Sequence, residues 1–211
     1  MLVELAAVIH DPVTTTDELI PSGETSSYRS NPLKLSEFAL SRRVPEYVGI
    51  SKRIQAQDLE RRAGNVPENG AAALAKVGAS AADTSFGSCV FANKPGDGSA
   101  REQAASCQKV LGGWANLAKE YATKRYRSNL INWGMLPFLV DEDDKALPFA
   151  LGDYVFVPGV RKAVLEKNDN IDAYAIKADG TVTKFVVHLG DLTDAERDII
   201  TAGCLINYYR G

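Results

Sequence analysis

Residues 96–103, GDGSAREQ, follow a predicted strand and open a predicted helix, and this junction decides the fold class. The apolar segment SFGSCVFA at 85–92 predicts a buried strand, and a helix is predicted from about Ser99 to Val110. The two glycines allow the tight turn between them. The pattern continues through three more predicted elements: a strand at 112–117, a helix at about 120–132 and a strand at 134–140. Such alternation predicts a parallel sheet with crossover helices.

The flanking segments contain strands of a different kind. Leu2–Ile9 predicts a buried strand, and short strands are predicted at 154–157, 160–165, 172–178 and 182–189. Asp179-Gly180 between the last two is a strong signal for an antiparallel hairpin. We therefore expect a single α/β domain over residues 1–211, with a parallel sheet plus a smaller antiparallel sheet.

Helices are also predicted outside the central alternation. Asn31 and Pro32 are a favourable N-cap and first position for a helix that runs to about Arg43. Thr193, with Glu196 three residues later, is a capping box that opens the last helix. Between these helices, residues 44–70 predict irregular surface structure because prolines and glycines are frequent, and residues 71–77 predict a short helix.

Composition narrows the class of protein. The chain has 211 residues, 45% hydrophobic and 24% charged, as globular proteins do. Its net charge of −3 disfavours nucleic-acid binding through overall charge. No apolar run approaches the roughly 20 residues of a membrane helix. The first residues, MLVELAAVIHDP, lack a basic region, so we expect a strand there and not a signal peptide.

The cysteines and histidines argue against a metal site in this chain. Cys89, Cys107 and Cys204 are odd in number and widely separated, and the two histidines lie at no ligand spacing from them. Without a disulfide framework, the expected compartment is reducing and the expected location is the cytoplasm.

The GDGSAREQ segment has two interpretations from its residues. The first-turn N–H groups of the helix and the positive end of its dipole favour an anion, to which Ser99 could offer a hydroxyl and Arg101 a planar guanidinium. Alternatively, Ser99 and Glu102 form a capping box, which needs no ligand. The segment lacks the lysine of a P-loop and does not match the dinucleotide fingerprint.

Several motifs, taken in order, resemble the aconitase superfamily. GDGSAREQ, LGGWANLAKEY (111–121) and RSNLINWGMLPF (127–138) resemble the family's run G-x-G-S-S-R-E-H … L-G-G … N-L … G-x-L-P. TTTDELIPSG (14–23) resembles its T-T-D-x-I-x-P-A-G segment, and residues 193–210 are similar to its last helix. The resemblance implies the C-terminal swivelling domain of an aconitase-family hydratase, a β/β/α three-layer domain similar to the small subunit of isopropylmalate isomerases.

The resemblance also implies roles for individual residues. Ser99 falls on the base that removes a proton next to a substrate carboxylate, and Arg101 and Arg29 fall on arginines that bind carboxylates. Asp17 falls on the aspartate that supports these side chains, and Ala100 occupies a substrate-binding position at which aconitases usually have serine. The implied substrate is a small hydroxy di- or tricarboxylate. The implied 4Fe-4S cluster lies in other domains or a large subunit, and this chain is expected to hold no cofactor and to be inactive alone.

Two departures from the aconitase motifs leave a non-catalytic function as an alternative. Ala100 and Ile20 replace usual serines, which removes two hydroxyls from the implied site. A non-catalytic module that binds a ligand or RNA is therefore the alternative, and the basic run Lys124–Arg127 is either an RNA patch or a solvated or interdomain surface. An independent serine hydrolase is excluded because neither histidine has a recognisable place in a triad.

Overall fold

The computed structural model describes residues 1–143 and 146–211 and shows a mixed α/β fold. Its strands are β1 (Leu2–Ile9), β2 (Thr14–Thr15), β3 (Phe86–Ala92), β4 (Pro95–Asp97), β5 (Gly113–Ala118), β6 (Leu136–Leu139), β7 (Tyr154–Phe156), β8 (Ile171–Ile176) and β9 (Val182–Val187). Its helices are α1 (Thr16–Leu19), α2 (Pro32–Ser36), α3 (Tyr47–Arg62), α4 (Glu68–Ala75), α5 (Arg101–Val110), α6 (Lys124–Asn132), α7 (Val160–Leu165), α8 (Asp194–Ala202) and α9 (Leu205–Arg210), with a 3-10 turn at Ser26–Tyr28.

One large sheet contains both the parallel and the antiparallel strands. Across the described ranges, its seven strands have the order β6-β5-β3-β1-β7-β8-β9. β6, β5, β3 and β1 pair in parallel, and β7, β8 and β9 continue the sheet in antiparallel pairs. The predicted α/β class is confirmed. The antiparallel strands extend the main sheet, however, and the separate small sheet is the parallel pair β2–β4.

Alternating side chains along the strands divide the core between the two faces of the sheet. Cys89 and Phe91 of β3 belong to one buried cluster, and Val90 and Ala92 belong to another. Because successive side chains of a strand point to opposite faces, β3 is covered on both sides. This burial on both faces explains the unbroken apolar runs of the sequence.

The segment 44–70, predicted to be irregular, contains the 16-residue helix α3. The buried face of α3 includes polar residues, Ser51 and Asp58, together with Ile54, so an apolar helical period is hard to see. Asp58 accepts a hydrogen bond from the Phe86 backbone N–H (3.1 Å) and pairs with the arginines that end the helix. Tertiary contacts therefore stabilise a helix that its sequence pattern hides.

Two other predicted elements differ in type or length. Residues 160–165 form helix α7, not a strand, and Val160, Ala163 and Val164 pack on the core with helical spacing. A short apolar run does not distinguish these two structures. The helix predicted to reach Arg43 ends at Ser36 and continues as turns. The hairpin at Asp179-Gly180 is confirmed by the antiparallel pairing of β8 with β9.

Candidate functional site

The small sheet brings the threonine-rich segment beside the glycine-rich loop. β2 pairs with β4, with Thr14 opposite Pro95 and Thr15 opposite Asp97. Gly98 follows with a φ of +126°, and a Cβ atom there would lie 2.3 Å from Thr16 Oγ1. Only glycine combines this backbone conformation with so close an approach. Residues 14–17 and 97–99 are therefore neighbours in the fold.

Ser99 is not the cap of the helix that follows it. α5 begins at Arg101, and its N-cap is Ala100, which offers no side-chain hydrogen bond. The predicted Ser99–Glu102 capping box is therefore wrong, because the N-cap lies one residue later than that box requires. Glu102 instead accepts a hydrogen bond from the Trp133 indole N–H (3.1 Å). Ser99 is exposed, and its hydroxyl makes no hydrogen bond to any described residue.

An open pocket of about 300 Å³ lies between the first turns of α5 and α6. Its lining comprises Ser99, Arg101, Glu102, Lys124, Arg125, Ser128 and Asn129. Three cations thus face a single carboxylate, and that carboxylate is occupied by Trp133. The Arg101 Nε is buried and has no hydrogen-bond partner within residues 1–143 and 146–211. The pocket is therefore a positively charged recess that suits an anion.

A buried tyrosine holds the start of α6 against the loop. The Tyr126 hydroxyl accepts hydrogen bonds from Gln108 Nε2 (2.9 Å) in α5 and Asn116 Nδ2 (2.8 Å) in β5. Its ring lies so close to Gly96 that a Cβ there would be 2.4 Å away. Thr123 caps α6 and also donates a hydrogen bond to the Gly96 carbonyl (3.1 Å). These contacts fix Lys124 and Arg125 beside Ser99.

Asp17 has a different partner from the one that the resemblance implied. Its carboxylate accepts hydrogen bonds from the Ser22 N–H (3.0 Å) and hydroxyl (3.2 Å) and pairs with Arg42 (2.7 Å). The Ser22 backbone N–H and, secondarily, Arg42 lower the pKa of Asp17. Among the described residues, Asp17 forms no hydrogen bond or ion pair with the Ser99 or Arg101 side chains. It belongs to the neighbouring segment but lies outside the pocket.

Arg29 also lies outside the pocket lining. It follows the 3-10 turn, whose Tyr28 stacks on Phe38 with ring centroids 5.5 Å apart. It is exposed, and it forms no ion pair with a carboxylate in the described parts of the chain. Of the predicted site residues, Ser99 and Arg101 thus line the pocket, with Ala100 between them in the chain, and Arg29 does not line it. Ile20, the other departure from the motif, is buried in the core.

Comparisons with known proteins add an independent line of evidence. Residues 83–143 match the family model of the aconitase C-terminal domain, and this segment includes all of the residues that line the pocket. The resemblance to the aconitase superfamily is confirmed. A crystal structure of 3-isopropylmalate dehydratase (leuD) from Methanocaldococcus jannaschii has a similar fold, with a TM-score of 0.57 and 20% sequence identity over 100% of this chain and 94% of that chain. A comparison with curated protein sequences gives no match.

The described residues of this chain offer no ligand set for an iron–sulfur cluster. No group of three His, Cys, Asp or Glu side chains there is arranged to hold a metal ion. Cys89 and Cys107 are buried in different core clusters. Burial raises the pKa of the Cys107 thiol to about 12 and that of Cys89 still further, and a thiol must ionise to bind metal. No helix in the part of the chain that the structure describes is long and apolar enough to cross a membrane.

Sequence reasoning missed the pairing of the two helix starts. The basic run at 124–127 suggested a surface patch, but nothing local indicated that it would face Ser99. The signal was Tyr126, an aromatic residue in a polar run that packs against a glycine 30 residues earlier.

Proposed function

We propose that this chain is the swivelling domain, or a separate small subunit, of an iron–sulfur hydro-lyase of the aconitase family. Its substrate would be a small hydroxy di- or tricarboxylate. The family match and the fold support a hydratase subunit. The observation that carries the finer proposal is the exposed Ser99 hydroxyl, which stands beside the half-buried Arg101 at the start of α5. This helix start has no side-chain cap, and the Arg101 Nε has no hydrogen-bond partner within the described ranges.

Ser99 would act as the base in this reaction. Its alkoxide would remove a proton from the carbon next to a substrate carboxylate. The first-turn N–H groups of α5 have no side-chain cap, and together with the helix dipole and Arg101 they would stabilise negative charge on the Ser99 oxygen. Ala100 would contribute only its backbone, since it lacks a hydroxyl.

The arginines would hold the substrate. The planar guanidinium of Arg101 suits two-point binding of a carboxylate, and its partnerless buried Nε leaves donor capacity inside the pocket. Arg29 would bind a second carboxylate as the resemblance implies, and its exposed position suits contact with a substrate held between two domains. Asp17 would act indirectly, by fixing the 14–23 segment through Ser22 and Arg42.

A 4Fe-4S cluster would be held by the partner domain or large subunit, since the described residues of this chain do not fit that group. When bound there, it would supply Lewis-acid chemistry for the departing hydroxyl. We further propose that residues 1–211 form one domain, because N-terminal β1 lies inside the sheet that β9 completes. The three free cysteines support a reducing, cytoplasmic location.

The test uses the enzyme purified together with its cluster-bearing partner. Ser99→Ala should lower kcat by about 10²–10⁴-fold, as expected for loss of a general base, with a nearly unchanged KM. Arg101→Lys should mainly raise KM, since one ammonium does not reproduce a two-point contact. Ser128→Ala is the matched control, because it removes another hydroxyl from the same pocket.

Near-normal turnover of the Ser99→Ala enzyme would contradict the role of Ser99 as the base. The alternative, a non-catalytic ligand- or RNA-binding module, is favoured by the exposed Lys124 and Arg125. It predicts that the complex with the partner shows no hydratase turnover with any hydroxy acid. We expect the isolated chain to have none.

A further inference from the structure

The basic run at 124–127 divides into a structural half and an unexplained half. Tyr126 is buried, and Arg127 donates a hydrogen bond to the Leu189 carbonyl (2.8 Å) and lies 3.9 Å from Glu196. Lys124 and Arg125 are exposed at the pocket and form no ion pair with the described residues. The contacts that stabilise the fold therefore account for Tyr126 and Arg127 but not for the other two cations.

The position of these cations is unfavourable for the helix that carries them. A helix dipole places positive charge at the N-terminus, so carboxylates are favoured in the first turn. α6 begins with Lys124 and Arg125 and has no acidic residue in its first turn. A residue choice that opposes local stability is typical of functional sites, where a ligand supplies the missing interaction.

Four sources of positive charge meet at the same recess. Arg101 lines one side with its partnerless Nε, and Lys124 and Arg125 line the other. The uncapped start of α5 adds backbone N–H groups. The lining contains three cationic side chains and one carboxylate, Glu102, so the recess has an excess of positive charge that suits a ligand with several negative charges.

We propose that Lys124 and Arg125 are substrate-binding residues that hold a carboxylate other than the one bound by Arg101. The pocket would then select small anions with at least two carboxylates over monocarboxylates. The identity of the anion as a hydroxy polycarboxylate rests on the proposed function. The anion site itself rests on the cations and the recess.

The test measures anion binding by the full 211-residue chain with NMR titration. Tricarballylate is the polycarboxylate probe and butyrate the monocarboxylate. Tricarballylate should shift the backbone signals of Ser99 and Ser128, and the double variant Lys124→Gln/Arg125→Gln should raise its Kd by about tenfold. Butyrate should bind far more weakly and respond little to the double variant, because one carboxylate needs only Arg101.

Arg161→Gln/Lys162→Gln is the matched control, since it removes two adjacent cations from the start of another helix, α7. The Kd of this control variant for tricarballylate should stay within about twofold of the original value, because neither side chain lines the pocket and exposed charges are screened by salt. An equal rise of the Kd in both double variants would overturn the proposal, because it would show that the overall charge of the chain drives binding. Absence of tricarballylate binding at tens of millimolar would also overturn it.

Two further results distinguish this anion site from the proposed hydratase function and from RNA binding. If Ser99→Ala leaves turnover unchanged while Lys124→Gln/Arg125→Gln weakens tricarballylate binding, the proposed function fails and the anion site stands. If a short single-stranded RNA displaces tricarballylate from the wild-type chain and binds more tightly than it, the site belongs to nucleic acid and the proposal is overturned.

Discussion

The first-turn N–H groups of α8 and α5 differ in whether side chains accept hydrogen bonds from them. In α8, the Thr193 hydroxyl accepts the Glu196 N–H (3.2 Å), and the Glu196 carboxylate accepts the Thr193 N–H (2.8 Å). In α5, the methyl side chain of the N-cap Ala100 cannot accept a hydrogen bond, and the nearby Ser99 hydroxyl has no hydrogen-bond partner among the described residues. One helix start is satisfied by its own sequence, and the other leaves its donors to solvent or a ligand.

The difference in capping shows which helix starts are stabilised by their own residues and which have unsatisfied donors. α8 has Asp194 and Glu196 in its first turn, which complement the helix dipole. α6 shows a mixed arrangement, because Thr123 caps its backbone while Lys124 and Arg125 oppose its dipole. The two helices that border the pocket therefore each lack one part of this compensation: α5 has no side-chain cap, and α6 has no acidic residue in its first turn.

The largest stability effect should come from the glycine that shapes the loop. Gly98→Ala should lower the free energy of unfolding by about 3 kcal/mol, because it adds backbone strain and a clash with Thr16. For a chain of this size, that change lowers Tm by about 6–12 °C. Gly152→Ala is the control in calorimetry, since Gly152 has a φ of +84° but open space around it. Equal decreases of the free energy of unfolding in the two variants would show that the close contact between residue 98 and Thr16 is unimportant for stability.

The comparison of the two helix starts can be tested directly with hydroxyl deletions. Thr193→Ala removes a capping box and should cost about 1 kcal/mol, or about 2–4 °C in Tm. Ser99→Ala removes no cap and should change the free energy of unfolding by less than about 0.5 kcal/mol. Urea unfolding of both variants measures the difference. A loss of about 1 kcal/mol in Ser99→Ala would mean that Ser99 caps α5 after all.

The smallest expected change in stability is an increase. Lys124→Glu places a carboxylate in the first turn of α6 and should raise the free energy of unfolding by about 0.3–1 kcal/mol, measured without added anions. The same change should abolish tricarballylate binding. Lys124→Gln, which only removes the charge, should stabilise the chain by less. A Lys124→Glu variant that is less stable than the original chain would show that Lys124 makes a stabilising contact of its own.

Much of the local structure could be predicted because its causes are close in sequence. The hairpin at Asp179-Gly180 and the capping box from Thr193 to Glu196 depend on residues within a few positions of one another. The predicted strand at 85–92 and the loop after it also follow from an apolar run and two glycines. The roles of Ser99, Arg29, Arg101 and Asp17 rest on the family resemblance and stay predictions.

The structure differs from the sequence analysis where distant residues decide the outcome. α3 depends on Asp58, which holds the Phe86 N–H 28 residues away, and no local pattern shows that contact. Asp17 pairs with Arg42 because the fold places the two segments together, and the 14–23 motif alone gives no hint of it.

The sequence alone predicts the strand–loop–helix order, the hairpin and the resemblance to the aconitase superfamily, because each is visible in short residue patterns. Only the tertiary structure decided that Lys124 and Arg125 share a recess with Ser99 and Arg101. The physical reason is the buried hydroxyl of Tyr126, which needs hydrogen-bond donors inside the core and finds them on α5 and β5. By satisfying that one group, the chain holds two helix starts together and concentrates positive charge between them.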